Sequence, residues 1–178
     1  MNWRAYVAHS DPATTVACLV AVVLGLNGPF YPFYIVAVVG LTHGWVAFLT
    51  MGATPLFLAI PRLARRAPVA ARAALWLVGT INTIWCMKLF GPASGVGVFL
   101  LPCIALAVLL PVGWVRLTGT GAPLLALIVP WNWFGAPIMT LTAAQNAQLG
   151  LLNEFSAACL TGLLALQLGR FMTSARGT

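Results

Sequence analysis

Long apolar runs alternate with short polar or turn-forming segments along the whole of this chain. Apolar runs of roughly 18 residues or more are typical of membrane-spanning helices, because about 20 residues cross the hydrocarbon core. The pattern predicts six spans within one domain covering residues 1–178, at about residues 13–34, 41–60, 73–90, 96–115, 124–141 and 149–172. We therefore predict an all-α membrane protein that folds as a six-transmembrane helical bundle.

Turn and cap residues mark the boundaries between these runs. Gly91-Pro92 and Ser94-Gly95 are turn-forming pairs, and they predict a hairpin between the third and fourth spans. Ser10 or Asp11 is expected to cap the first span, with Pro12 in its first turn. Later in that span, Pro29 and Pro32 predict a kink or local unwinding. A further turn is expected over residues 119–123, and a polar connection over residues 142–148.

The charged residues set the expected orientation of the bundle. Charged residues make up 6% of the chain and hydrophobic ones 61%, whereas a soluble domain carries about 25% charged residues. Of the nine basic residues, only Lys88 falls on one side of the predicted bundle. The positive-inside rule therefore predicts that both termini are cytoplasmic. We expect the arginines to contact anionic lipid head groups and not nucleic acid.

Motifs for catalysis, cofactors or metals are not found in the sequence. The four cysteines lie in apolar runs without a Cys-x-x-Cys spacing, and nucleotide-binding and zinc-protease motifs are missing. With two acidic residues in total, a mechanism that needs paired carboxylates is hard to build. We expect no cofactor, no metal and no enzymatic activity. An intramembrane enzyme is the weakest of the alternatives.

Polar side chains inside the spans are the candidates for a binding site. Asn27, Tyr31 and Tyr34 share one helical face, which fits either an interfacial tyrosine belt or the wall of a cavity. Glu154, the acidic residue within a span, is expected either to pair with Lys88 or to join it in a ligand site. We predict an amphiphile-binding pocket lined by Asn27, Tyr31, Asn82, Trp85, Lys88, Trp131, Asn132 and Glu154.

Small residues recur at intervals of four along the last predicted span. Ala157, Thr161, Ala165 and Gly169 form this stripe, which allows close approach of another helix. The partner helix could belong to the same bundle or to a second copy of the chain. The sequence leaves both possibilities open, so a homodimer is one expected assembly.

Three short motifs lie in and around the hairpin: Gly79-Thr80, Ser94-Gly95-Val96 and Phe99-Leu100-Leu101-Pro102. With these motifs the chain resembles the six-helix membrane anchors of bacterial class III adenylate cyclases. Its first span is similar to the related anchors of certain quorum-sensing histidine kinases, through Asp11-Pro12, Gly25, Gly28-Pro29 and Tyr34. The resemblance covers about residues 11–172.

The resemblance implies a sensor or anchor in the inner (plasma) membrane of a bacterium, whose last helix relays a signal to a cytoplasmic catalytic domain. Since the sequence as given ends at Thr178, the resemblance implies an input module whose output domain is either missing from this sequence or lies in a separate cytoplasmic signalling partner. We therefore expect a membrane sensor that binds a small lipophilic or amphiphilic ligand. The alternative is a small transporter or channel subunit that uses Glu154 and Lys88.

Overall fold

The computed structural model describes residues 3–109, 113–129 and 135–176. Within these ranges the chain forms helices and no β-strand. The α-helices are α1 (Trp3–Val7), α2 (Pro12–Asn27), α3 (Tyr31–Val39), α4 (Leu41–Gly44), α5 (Thr54–Ala64), α6 (Pro68–Phe90), α7 (Leu100–Leu109), α8 (Trp114–Ile128) and α9 (Ala143–Arg176). The 3-10 helices are Gly28–Phe30, Trp45–Ala53, Pro92–Ser94 and Val96–Phe99.

Several of these elements run on into one another as long apolar stretches. In the described part of the chain, four stretches are long and apolar enough to cross a membrane: Pro12–Val39, Leu41–Ala64, Pro68–Phe90 and Ala143–Gln167. Two shorter apolar helices cover Val96–Val108 and Thr118–Ile128. The prediction of an all-helical protein with membrane-type helices is therefore confirmed.

The buried apolar side chains form two clusters at opposite ends of the bundle. The first includes Val20 of α2, Ile60 of α5, Leu75 of α6, Leu106 of α7 and Leu164 of α9. The second includes Ile35 of α3, Leu89 and Phe90 of α6, Leu100 of α7, Ala126 of α8 and Leu149 of α9. We call the first the basic end, because it adjoins the arginines of residues 62–72, and the second the turn end.

The first long stretch begins with the N-cap that the sequence predicted. Asp11 is the N-cap of α2, and its carboxylate accepts hydrogen bonds from the backbone N–H groups of Ala13 (3.2 Å) and Thr14 (3.3 Å). Pro29 lies in the 3-10 turn Gly28–Phe30, which is the predicted local unwinding. Pro32 is in the first turn of α3, where a missing N–H breaks no helical hydrogen bond.

The hairpin between α6 and α7 is also confirmed. Gly91 and Gly95 have φ angles of 81° and 73°, values that side chains disfavour. Gly95 also packs directly on α9, since a Cβ added there would lie 2.9 Å from Cα of Gly150. The turn is therefore held against the last helix as well as between its own two helices.

The fifth predicted span differs most from the structure. The expected turn at residues 119–123 lies inside α8, because membrane helices tolerate Gly and Pro. Gly119 serves close packing instead: a Cβ there would lie 2.7 Å from Cε2 of Trp76. Helix α8 ends at Ile128, and residues 135–142 are not helical. Part of this segment pairs with the end of α6, through the hydrogen bond from Ile138 N to Lys88 O (3.0 Å).

The last helix begins earlier than the sequence pattern predicted. Thr142 N donates to Gln145 Oε1 (2.9 Å), and Gln145 N donates to Thr142 Oγ1 (3.2 Å). This reciprocal pair is a capping box, which starts a helix in an otherwise polar stretch. Residues 143–148 are therefore the first turns of α9 and not a loop.

Candidate functional site

A cavity of about 110 Å³ lies between the two core clusters. It is bounded at the basic end by Phe57, Leu75 and Leu106, and at the turn end by Cys86 and Val96. The remaining walls come from the junction of α2 and α3, the 3-10 helix Trp45–Ala53, the start of α5, α6, the start of α7 with the segment before it, and α9. These further lining residues are Leu24, Asn27, Gly28, Tyr31, Thr50, Ala53, Thr54, Gly79, Asn82, Thr83, Phe99, Cys103 and Leu160.

One face of α6 forms the longest wall of this cavity. Gly79, Asn82, Thr83 and Cys86 follow one another at helical spacing and so share a face. Gly79 contributes space, since a Cβ there would lie 2.9 Å from Sγ of Cys103. The sequence thus combines a missing side chain and a polar one on the same side of α6, which opens the cavity and makes it polar there.

Irregular backbone forms the opposite wall. The 3-10 turn Gly28–Phe30 contacts the nine-residue 3-10 helix Trp45–Ala53, and the two contribute Gly28, Thr50 and Ala53 to the lining. A 3-10 run longer than about four residues is uncommon and often marks a functional segment. Non-α backbone within a membrane span is tolerated where it is buried in protein or lines a cavity.

The polar groups of the lining fall into two sets. Thr50 Oγ1 donates to Ala47 O (2.7 Å) and Thr83 Oγ1 donates to Gly79 O (2.9 Å), so both hydroxyls are satisfied within their own helices. The Thr54 hydroxyl is buried, and within the described residues it has no hydrogen-bond partner. The side-chain amides of Asn27 and Asn82 make no hydrogen bond within the described part of the chain. These three groups are available to a bound molecule.

Tyr31 connects the cavity to the last helix. Its ring lines the cavity and packs edge-to-face on Phe90, with ring centroids 6.1 Å apart. Its hydroxyl donates to Oδ1 of Asn153 (3.0 Å), which is fully buried on α9. The Asn153 amide in turn donates from Nδ2 to Ser94 O (2.9 Å) in the hairpin turn. One buried asparagine therefore joins α3, the turn and α9.

The structure brings together only part of the predicted pocket. Asn27, Tyr31 and Asn82 line the cavity, whereas Trp85 is exposed and lies outside the lining. Lys88 Nζ donates to Ala136 O (2.6 Å).

Glu154 is exposed on α9 and also lies outside the cavity lining. The ion pair that the sequence suggested between Lys88 and Glu154 is not formed within the described residues. Two further predicted residues, Trp131 and Asn132, lie outside the described part of the chain.

Sequence reasoning missed Thr54, and it considered Asn153 only as a neighbour of Glu154 and left it out of the predicted pocket. A signal for Asn153 exists, since Leu149, Asn153, Ala157 and Leu164 recur at helical spacing and are all buried. Glu154, one position later, falls on the other side of the helix. The stripe of small residues on α9 is exposed beyond Ala157, at Thr161, Ala165 and Gly169. Thr54 carries no comparable signal, because its importance depends on the 3-10 backbone before it.

The basic end carries the charged contacts of the fold. Arg72 Nη1 and Asp11 Oδ2 form an ion pair at 3.0 Å, which joins α6 to the N-cap of α2. Partial burial acts to raise the pKa of the Asp11 carboxyl, but hydrogen bonds from Thr14 and Ala13 and the charge of Arg72 together lower it below its usual value. Nearby, Tyr6 donates its hydroxyl hydrogen to Leu58 O (2.7 Å) under the guanidinium of Arg65.

Neither a protein-family model, nor a curated protein, nor a solved structure matches this chain. Over the described residues, no group of three His, Cys, Asp or Glu side chains is placed to hold a metal ion. The features that indicate a function are therefore the cavity and the hydrogen bonds that connect it to α9.

Proposed function

We propose that this protein is an integral membrane sensor that binds a small lipophilic or amphiphilic molecule in the central cavity and relays its presence through α9 to a cytoplasmic partner. The observation that carries the proposal is the double role of Tyr31. The same side chain lines the cavity and donates a hydrogen bond to Asn153 of α9. A molecule that displaces Tyr31 changes the hydrogen bonding of the last helix.

The architecture that we propose for this sensor has six spans. Four stretches meet the length of a span, and the two shorter apolar helices each reach from one core cluster towards the other. Gly119 packs beside Trp76 of the basic-end cluster, and Ala126 belongs to the turn-end cluster, which supports a fifth pass. The arginines of residues 62–72 and Arg116 then lie at one end with both termini, which favours cytoplasmic termini. The resemblance to bacterial membrane anchors is the ground for proposing a bacterial plasma membrane.

The test of the proposal compares two tyrosines on α3. Tyr31→Phe removes only the hydroxyl that contacts Asn153, and Tyr34→Phe removes the same group from an exposed position. Spin labels on the exposed Cys159 of α9 and on a cysteine replacing Arg62 report the position of α9 against α5. With hexan-1-ol as the probe, we expect the distance to change in the parent chain and in Tyr34→Phe, and not in Tyr31→Phe.

Binding of hexan-1-ol is measured in the same samples by ligand-observed NMR. We expect Tyr31→Phe to retain binding, since its ring still closes the cavity. A Tyr31→Phe chain whose α9 responds to hexan-1-ol as the parent does contradicts the proposed relay.

Transport of a small solute is the second candidate function. The specific observation in its favour is that polar groups meet within interrupted helices, an arrangement found at transporter sites. The version of this candidate that uses Lys88 and Glu154 has no support in the geometry, since neither side chain lines the cavity. Uptake of hexan-1-ol-sized solutes into vesicles that is faster with the protein than without it would favour transport.

A further inference from the structure

The cavity lining contains no ionisable Asp, Glu, Lys, Arg or His side chain among the described residues. We propose that the cavity selects an uncharged molecule with a hydrogen-bonding head and an apolar remainder, and that it excludes ions and charged analogues of the same size. This inference rests on the proposed ligand-binding function and names the chemical class that the site accepts.

The hydrogen-bonding groups left free in the cavity are all neutral. The Asn27 and Asn82 amides each offer two N–H donors and a carbonyl acceptor, and the Thr54 hydroxyl donates or accepts. The other lining hydroxyls are already bonded, those of Thr50 and Thr83 to their own backbone and that of Tyr31 to Asn153. A neutral hydroxyl, carbonyl or amide satisfies these three groups without leaving a charge unpaired.

The depth of these groups makes a charged occupant costly. Asn27, Thr54 and Asn82 lie within about three residues of the midpoints of their apolar stretches, or roughly 5 Å at 1.5 Å per residue. In the proposed membrane orientation this depth is the centre of the hydrocarbon core. An ion there without a counter-charge is strongly disfavoured, and the described lining residues supply no counter-charge.

The size of the cavity limits the occupant further. Its volume of about 110 Å³ is somewhat smaller than the roughly 150 Å³ at which an engineered apolar cavity binds benzene. A head with a short apolar body therefore fills it. Asn27 is exposed as well as lining, so the cavity is not sealed and a longer apolar chain can extend outward past it.

The experiment uses probes that share a chain and differ in the charge of the head. The whole protein in phosphatidylcholine nanodiscs is titrated at pH 7.5 with 6-fluorohexan-1-ol, 6-fluorohexanoate and 6-fluorohexylammonium, each followed by fluorine NMR against empty nanodiscs. We expect saturable binding of the alcohol, and binding of both ions that is weaker by about tenfold or more. Fluorobenzene, which lacks a hydrogen-bonding head, serves as the apolar reference.

Variants then assign the selectivity to the cavity. Asn82→Leu is expected to weaken binding of the alcohol about tenfold, the value of one lost hydrogen bond, and to leave fluorobenzene binding unchanged. Thr54→Val gives a second, nearly isosteric test should Asn82→Leu fail to fold. Asn146→Leu is the matched control, since Asn146 lies on α9 outside the cavity lining and should leave both affinities unchanged.

Each outcome of the experiment decides between stated alternatives. Equal binding of either ion and the alcohol overturns the selection for uncharged ligands, while the Tyr31 relay remains testable with the same probes. Unchanged alcohol affinity in both Asn82→Leu and Thr54→Val places the bound alcohol elsewhere and also overturns the inference. If no probe binds the parent chain, the cavity holds water only, and both the inference and the proposed function fail.

Discussion

The two ends of the bundle are held together by different chemistry. At the basic end, a carboxylate and a guanidinium, Asp11 and Arg72, join α6 to the start of α2 at 3.0 Å. At the turn end, the neutral amide of Asn153 joins α9 to Tyr31 and to the hairpin turn. The Asp11 side chain is 38% exposed, whereas Asn153 is fully buried.

The difference follows from the cost of burying each kind of group. A charge pair tolerates partial exposure and is weakened by solvent, so an exposed pair contributes little to stability. A neutral amide can be buried completely when all its strong hydrogen bonds are made, and it is then expensive to remove. We therefore expect the turn end to depend on single residues and the basic end to depend on solution conditions.

Replacing the buried amide is expected to have the largest effect. Asn153→Leu leaves the Tyr31 hydroxyl and Ser94 carbonyl without their partner, and should lower the free energy of unfolding by about 2 to 3 kcal/mol. The measurement is unfolding in mixed detergent micelles. Glu154→Gln, at the exposed neighbouring position, is the control and should change stability by less than about 0.5 kcal/mol. Equal losses in the two variants would contradict the assigned role of Asn153.

Acidification should weaken the basic end by a smaller amount. Because the pKa of Asp11 is lowered in the folded state, its contribution is fully present above about pH 4 and is lost as the pH falls through the folded value. The loss should be no more than about 1 kcal/mol, given the exposure of this carboxylate. Thermal unfolding of the detergent-solubilised protein between pH 7 and pH 2.5 measures it.

Asp11→Asn separates this effect from other titrating groups. Asparagine is also a good N-cap, so the variant should keep α2 while losing the acid-dependent part of the stability. His9 accepts a hydrogen bond from the Asp11 N–H and remains in the variant. Acid sensitivity that persists unchanged in Asp11→Asn would assign the effect to a group other than Asp11.

Labelling of the two ends tests their placement and should not change stability. Ala8 and Ala93 are exposed, Ala8 near the basic end and Ala93 in the hairpin turn. In a Cys159→Ser background, an impermeant thiol reagent added to intact cells should label Ala93→Cys and spare Ala8→Cys. After the cells are opened, both should react. Labelling of Ala8→Cys in intact cells would contradict the cytoplasmic placement of the basic end.

The sequence predicted the fold more completely than the site. The adjacent residues Asn153 and Glu154 show why. Hydropathy and turn residues predicted the hairpin at Gly91–Gly95 and the cap at Asp11, because both depend on local chemistry. The sequence also drew attention to Glu154, since a charge in an apolar run is conspicuous. Burial depends on the helical face, however, and it is Asn153 that faces the bundle.

The glycines show the same limit in another form. A glycine that permits a turn and a glycine that permits close packing look alike in a single sequence. Gly95 has a positive φ and belongs to a turn, whereas Gly119 lies inside α8 against Trp76. Backbone conformation and tertiary contacts separate the two roles, and a single sequence shows neither, so the turn expected at residues 119–123 was wrong. The cavity was likewise predicted in part, through Asn27, Tyr31 and Asn82.

The 3-10 helix Trp45–Ala53 increases the length of the second long stretch, Leu41–Ala64. Its nine residues extend about 18 Å at 2.0 Å per residue, against about 13.5 Å for the same residues as α-helix. Side chains there repeat every three residues, and Gly44, Ala47 and Thr50 are accordingly all buried along one edge. Rewinding this segment to α-helix would shorten the stretch by about 4.5 Å and turn that edge by about half a rotation. The 3-10 conformation of this segment therefore determines where Thr50 lies relative to Thr54 in the cavity wall.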